Sequence, residues 1–377
     1  MARNAPLRIA LFGNGFARTV MLPCLRHVAG ATVTGIASPN LERVRATAAE
    51  FGIEHAAADH REILAMARPD LVFIATPPHR HLEMTVDALD AGCHVVCEKP
   101  TALDAAESAA MLAAAARAPG RLALIDHELR LDPRRRALAE VVRDGTLGEI
   151  LHATYTLSSS GRLDRDRPWT WWSDRAQGGG AWGAIGSHAV DALRVVLGEV
   201  GAVRGRLETV IQERRDPASG AMRPVTSDDL AAAWLRFPGD AAATITISLV
   251  EGERRHELTL AGTKGAARWI ERGPLLVTEA GGGGGSGWRE LAVADDLPDC
   301  VTLRIPETDW ARSFLRYARA IVAAVRDGRS IIEGAATFAD GHCNQEVLDA
   351  VRRSAAKEAW VPIARQAAGR PPGGLRP

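Results

Sequence analysis

Residues 70–100, "DLVFIATPPHRHLEMTVDALDAGCHVVCEKP", decide the fold. "DLVFIATPP" (70–78) is an apolar run stopped by two prolines, the signature of a buried strand. "HLEMTVDALDAG" (81–92) has helical spacing and a glycine stop, and "HVVCEKP" (94–100) is a second apolar run. Strand, helix and strand in that order form a βαβ unit, whose two strands run parallel.

Working outward, the alternation continues in both directions. "LRIALFG" (7–13) and "ATVTGIAS" (31–38) read as strands, each followed by a helical pattern, the second being "LERVRATAAEFG" (41–52). "LDAAESAAMLAAAARA" (103–118) is an alanine-rich helix leading into "RLALIDH" (121–127). The pattern predicts a parallel, doubly wound sheet, in which a ligand lies beyond the carboxyl ends of the strands. Those ends carry Gly13–Gly15, Ser38, Thr76–Pro78 and Glu98–Pro100.

"GNGFAR" (13–18) stands at the first strand-to-helix turn. Two glycines there let backbone approach a pyrophosphate, and the helix N-terminus favours its charge. Gly13, Gly15, Phe16 and Ala17 are candidate dinucleotide contacts. Arg18 replaces the customary third glycine, and either touches phosphate or points to solvent. At the end of the second strand, an acidic residue would bind the ribose 2′-hydroxyl and repel a 2′-phosphate. Here stand Ser38, Asn40 and Arg43, which suit a phosphate and favour NADP over NAD.

The rest of the chain has another rhythm. "ILHATYTLSSS" (150–160), "AAAWLRF" (231–237), "AATITISLV" (242–250), "HELTLAG" (256–262) and "AARWIE" (266–271) are strands joined by short turns, which predicts an antiparallel sheet. "GGGGGSG" (281–287) reads as a hairpin tip. Residues 309–328 and 341–358 are amphipathic helices. "WTWWSDRAQGGG" (169–180) holds three tryptophans within four residues, suited to a sugar ring, a subunit contact or a structural cluster. The fold class expected is α/β. It pairs an N-terminal Rossmann doubly wound parallel sheet (1–126) with a C-terminal α+β domain with an open, mostly antiparallel sheet (127–377).

The bulk numbers exclude other classes. At 377 residues the chain is long for one core. Lys+Arg and Asp+Glu stand at 46 each, so no general basic field collects nucleic acid or anionic membrane. Five scattered cysteines, Cys24, Cys93, Cys97, Cys300 and Cys343, fit reduced thiols. Strand alternation separates His94 from Cys93 and Cys97, so no metal site is expected. Neither a signal peptide nor a membrane-length apolar run is visible, and a cytoplasmic protein is expected.

"FIATPPHRHLEMTVDALDAGCHVVCEKP" (73–100), "DGTLGEILHATY" (144–155), "GGGAWGAIGSHAVDALRVVLGE" (178–199) and "AGTKGAARW" (261–269) resemble the glucose–fructose oxidoreductase, inositol dehydrogenase and rhizopine-catabolism (Gfo/Idh/MocA) family. The resemblance implies an NAD(P)-binding Rossmann domain and a substrate, usually a sugar or polyol, between the domains. It also implies homo-oligomers, dimers or tetramers, through the C-terminal sheet. Lys99 of "EKP" matches the family's catalytic lysine and His188 its histidine. Glu98, Thr76 and Pro77 match positions lining the nicotinamide, and His81 is grouped with them. The family tends to carry an aspartate four residues before the histidine, where this chain has Ala184.

Oxidising a secondary alcohol takes a hydride acceptor, a base for the hydroxyl proton and a donor for the oxygen. His188 has the intrinsic acidity for the base and Lys99 the charge for the donor; the reverse assignment is the alternative. His127, Arg130, Trp172, Trp182 and Asp191 are candidates for substrate contact. The expected function is an NAD(P)-dependent oxidoreductase acting on a sugar-like secondary alcohol. The alternatives are a cofactor-using enzyme without net redox, such as a glycosidase or epimerase, and a silent metabolite-binding protein.

Overall fold

The computed structural model describes residues 5–280 and 287–363. Six residues of the glycine tract read as a hairpin tip, 281–286, lie outside that range. The chain forms two compact units, one of residues 1–132 with 296–342 and the other of 133–295 with 343–377. The sequence predicts a single cut after residue 126. Residues 127–132 and 296–342 cluster instead with the first unit.

The first unit is built on β1 (Leu7–Phe12), β2 (Ala31–Ala37), β3 (His55–Ala57), β4 (Leu71–Ile74), β5 (His94–Cys97) and β6 (Ala123–Ile125). Their order is β6-β5-β4-β1-β2-β3, all parallel, with a short antiparallel strand Ala336–Thr337 beside β6. All four residues of β4 and of β5 are buried, because both faces of the sheet are covered. Strand alternation divides them. Ile9, Leu11, Leu71, Phe73 and Val96 enter one core, and Ala10, Phe12, Val72, Ile74 and Val95 the other. Helix Asp309–Arg326 covers the first face with Ala311, Phe314, Leu315, Ala318, Ile321 and Val322. Its Phe314 ring lies 5.6 Å from that of Phe73. The expected apolar stripe is thus a core stripe, but it completes the nucleotide-binding unit rather than the second one.

The second unit holds β7 (Ile150–Ser158), β8 (Ala202–Glu208), β9 (Glu213–Arg215), β10 (Met222–Pro224), β11 (Leu230–Arg236), β12 (Ala242–Ser248), β13 (Arg255–Gly262), β14 (Gly265–Ile270), β15 (Leu275–Glu279) and β16 (Arg289–Leu291). β9 and β10 pair only with each other. The others form a sheet in the order β16-β15-β14-β13-β7-β12-β11-β8, with Val361–Pro362 at the far edge. It is antiparallel except where β7 lies parallel to β12. One face buries Ala153, Tyr155, Ala233, Ile245 and Leu260 under helices Ser187–Leu197 and Phe338–Lys357. The other face carries a row across four strands, Trp234, Thr244, Thr154 and Thr259, with Trp234 55% exposed. No helix among the described residues is long and apolar enough to cross a membrane.

Candidate active site

The carboxyl ends of β1, β2, β4 and β5 bring the expected nucleotide residues to one edge of the first unit. Gly13 adopts φ +109°, and a Cβ there would lie 2.2 Å from the Ala75 carbonyl oxygen. Glycine is therefore required where β1 turns past β4. At Gly15 a Cβ would meet nothing within 4 Å, so open space faces the start of the following helix. Beside it the buried Asn14 Oδ1 accepts no hydrogen bond. A close-approach backbone and open space at a helix N-terminus fit a dinucleotide pyrophosphate. Arg18 is not part of this cradle, because its guanidinium is held by Glu50 at 2.9 Å. The helix passes through a π turn at Ala17–Met21, with Ala17 buried and Arg18 outward.

At the end of β2, Ser38 donates its backbone N–H to Ala57, and the Asn40 side chain caps helix Leu41–Phe51 by accepting from Arg43 N at 2.9 Å. Ser38 is half-buried, and Asn40 and Arg43 are exposed.

The turns after β4 and β5 are joined by His81. Its Nε2 lies 2.9 Å from the Thr76 carbonyl oxygen, and its Nδ1 3.1 Å and 3.2 Å from those of Pro100 and Thr101. Burial pushes its pKa down to about 4, so the imidazole is neutral. The sequence groups His81 with the cofactor contacts. It is fully buried instead, its ring packed between the Thr76–Pro77 turn and the Lys99–Pro100 turn, and as a neutral imidazole it donates its one N–H to a carbonyl on one side only. Lys99 itself is half-buried and follows Glu98, whose Oε2 accepts the Lys99 backbone N–H.

A residue that the sequence does not single out stands beside them. Asp126 follows β6, and its N–H donates to the Cys97 carbonyl at 2.7 Å. It is wholly buried next to Glu98. Burial, with Glu128 and Glu98 nearby, raises its pKa well above the ordinary range. Burial also raises Glu98, against the pull of Lys99.

In the second unit His188 is buried in helix Ser187–Leu197, three residues before buried Asp191. The segment before it, Trp182–Gly186, is a π turn. The α-helical spacing that puts residue 184 one turn before His188 therefore does not hold, because a π turn inserts an extra residue. The backbone N–H groups of Ala181 and Trp182 donate to Asp228, which anchors the start of this segment. Burial raises Asp228 to about 6. Trp182 is fully buried and donates Nε1–H to the Leu348 carbonyl, so it is a core residue rather than a substrate contact. Trp172 is half-buried, its ring 5.3 Å from the Arg162 guanidinium. Arg130 and His127 belong to the first unit, where Arg130 forms a buried ion pair with Asp340 at 3.3 Å; it is committed there rather than to substrate.

Residues 7–125 match the family described as "Oxidoreductase family, NAD-binding Rossmann fold", and residues 135–268 match "GFO/IDH/MocA C-terminal domain". An uncharacterised oxidoreductase of Synechocystis is 31% identical over 71% of this chain and 72% of its own length. The chain belongs to the Gfo/Idh/MocA oxidoreductase family. Levoglucosan dehydrogenase of Pseudarthrobacter phenanthrenivorans is 29% identical over 87% of this chain and 88% of its own. A solved structure of levoglucosan dehydrogenase in complex with NADH and L-sorbose superposes with a TM-score of 0.84 at 26% identity, covering 96% of this chain and all of that one.

Composition holds a further signal in this Gfo/Idh/MocA chain. Only Lys99, Lys264 and Lys357 of its 46 basic residues are lysines. Lys264 and Lys357 are exposed, so Lys99 is the one lysine drawn into the interior.

Proposed function

We propose that this protein is an NAD(P)-dependent dehydrogenase of a secondary alcohol in a sugar, polyol or related small molecule. The observation that carries the proposal is Lys99, half-buried at the nucleotide edge of a Gfo/Idh/MocA chain whose other basic residues are almost all arginines. Gly13, Gly15, Phe16 and Ala17 would hold the pyrophosphate, and Thr76, Pro77 and Glu98 would line the nicotinamide. Ser38, Asn40 and Arg43 leave the end of β2 without a carboxylate, which supports NADP over NAD.

Bound nicotinamide supplies a hydride acceptor or donor. The Lys99 amine donates hydrogen bonds to the reacting oxygen and steadies its developing charge. His188 takes the hydroxyl proton in oxidation and returns it in reduction. Asp191 and Trp172 are assigned to substrate binding, as is His127. A substrate of this class is supported by the likeness to levoglucosan dehydrogenase.

Titration with NADPH and NADH, followed by nicotinamide fluorescence, tests the first half of the proposal. A panel of sugars and polyols with oxidised cofactor, followed by nicotinamide absorbance, tests the second. Saturable binding with reduction on at least one sugar-like alcohol is expected; no binding of either nucleotide overturns the proposal.

A further inference from the structure

β5 and β6 run side by side, with Cys97 opposite Ile125, so the residues that follow them, Glu98 and Asp126, are neighbours at the sheet edge. Glu98 is 9% exposed and Asp126 not at all. Both Asp126 side-chain oxygens and Glu98 Oε1 are buried and receive no hydrogen bond from any protein N–H or O–H. An ionised carboxylate left in that state loses its solvation without replacement, which is costly. One remedy for two neighbouring carboxyls is a proton held between them, donated by one oxygen and accepted by another.

We infer that Asp126 and Glu98 share a single proton in the resting protein and so present one negative charge, not two, to Lys99. Asp126 is then a positioning residue that acts on Lys99 through Glu98. The inference builds on the reading of Lys99 as the reacting group.

The surrounding groups agree with a pair of low charge. Buried Glu128 adds further negative potential, which opposes a second ionisation. Arg130 and Asp340 neutralise each other. The Tyr317 hydroxyl donates to the Ile125 carbonyl at 3.0 Å, and burial with Asp126 nearby holds it neutral. Burial likewise keeps the Cys24 and Cys97 thiols protonated. Among these groups Lys99 is the cation that opposes the rise in pKa of both carboxyls.

Two spectroscopic measurements on the full chain test this. The first is the infrared carbonyl absorption of protonated carboxyl groups at pH 8, where Asp228, with its pKa of about 6, is ionised. Wild type should show the band, and Asp126→Asn should lose it, because the Asn amide donates to Glu98 permanently. The second uses ¹³C-labelled lysine, which gives one signal for each of the three lysines. As pH rises and the shared proton leaves, the Lys99 signal should move with the infrared band while those of Lys264 and Lys357 do not. In Asp126→Asn that concerted step should vanish.

A wild-type protein without the band, or a band that survives in Asp126→Asn, overturns the inference. So does a Lys99 signal indifferent to the step. Should the variant not fold, the band and the Lys99 signal of wild type still decide the matter. Neither measurement uses turnover, so an inactive protein with the shared proton would fault the proposed reaction and leave the pair standing.

Discussion

His81 Nε2 stands 2.9 Å from the Thr76 carbonyl oxygen, while the other nitrogen of the ring faces Pro100 and Thr101. One buried ring thus spans the turns that carry Thr76 and Lys99. Truncation in His81→Ala removes the ring packed between the two turns, leaves a buried carbonyl without its donor and should cost about 1–3 kcal/mol of stability. Turnover should fall by about tenfold or more as Lys99 loses its fixed place. Thermal unfolding and kcat measured together check this. Unchanged kcat in a destabilised variant would confine His81 to a structural role.

The carboxyl end of β2 makes a prediction about cofactor choice. Ser38→Asp places there the carboxylate that this chain lacks, and should shift the NADPH-to-NADH affinity ratio towards NADH by about tenfold or more. Arg43→Ala should weaken NADPH and leave NADH nearly unchanged. Fluorescence titration of both nucleotides reads both variants, and equal losses for the two would count against Arg43 as a phosphate contact.

A buried network in the second unit should govern acid stability. The Tyr155 hydroxyl lies 2.7 Å from His256 Nε2, and His256 Nδ1 3.4 Å from Glu271 Oε1. Burial opposes ionisation of Glu271, but His256 and Arg254 outweigh it and hold its pKa down to about 2. Burial also lowers His256 below its ordinary value. Both groups bind protons more readily when unfolded, so their contribution falls as pH falls. That loss should run from about 6.5, where unfolded His256 begins to gain protons, towards 2, where folded Glu271 does. Melting temperature against pH should therefore be flatter in Glu271→Gln. A profile parallel to wild type would contradict the assignment.

The open face of the second sheet should be an interface between copies. Trp234 sits half-exposed in a row of threonines, and burial of such a face suits a homo-oligomer. Trp234→Glu should lower the mass seen by analytical ultracentrifugation without changing the circular dichroism of the fold. An unchanged mass would remove this face from consideration.

Much of this was legible in the residues, and what was not has physical reasons. The parallel sheet showed because its strands are apolar on both faces, as in "LVFI" and "HVVC". β3 did not, being three residues of "HAA" with no apolar run. Helix Asp309–Arg326 was visible as a stripe, but a stripe does not say which core it enters; here it lies far along the chain from the strands it covers. The π turn at Trp182–Gly186 is a matter of backbone hydrogen-bond phase, which side-chain periodicity does not report. Trp182 and Arg130 read as substrate contacts because their chemistry suits sugars, and only packing revealed their burial. Asp126 ends an apolar strand and reads as an ordinary turn residue until β5 is laid beside β6.

The most direct measurement compares wild type with Lys99→Ala on two readouts: reduction of NADP or NAD across a panel of sugars and polyols, and nucleotide affinity by fluorescence. Only contacts made in the transition state should be lost, so turnover should fall to background while affinity stays within about tenfold. An active Lys99→Ala enzyme would contradict the assignment of Lys99 to the reacting oxygen.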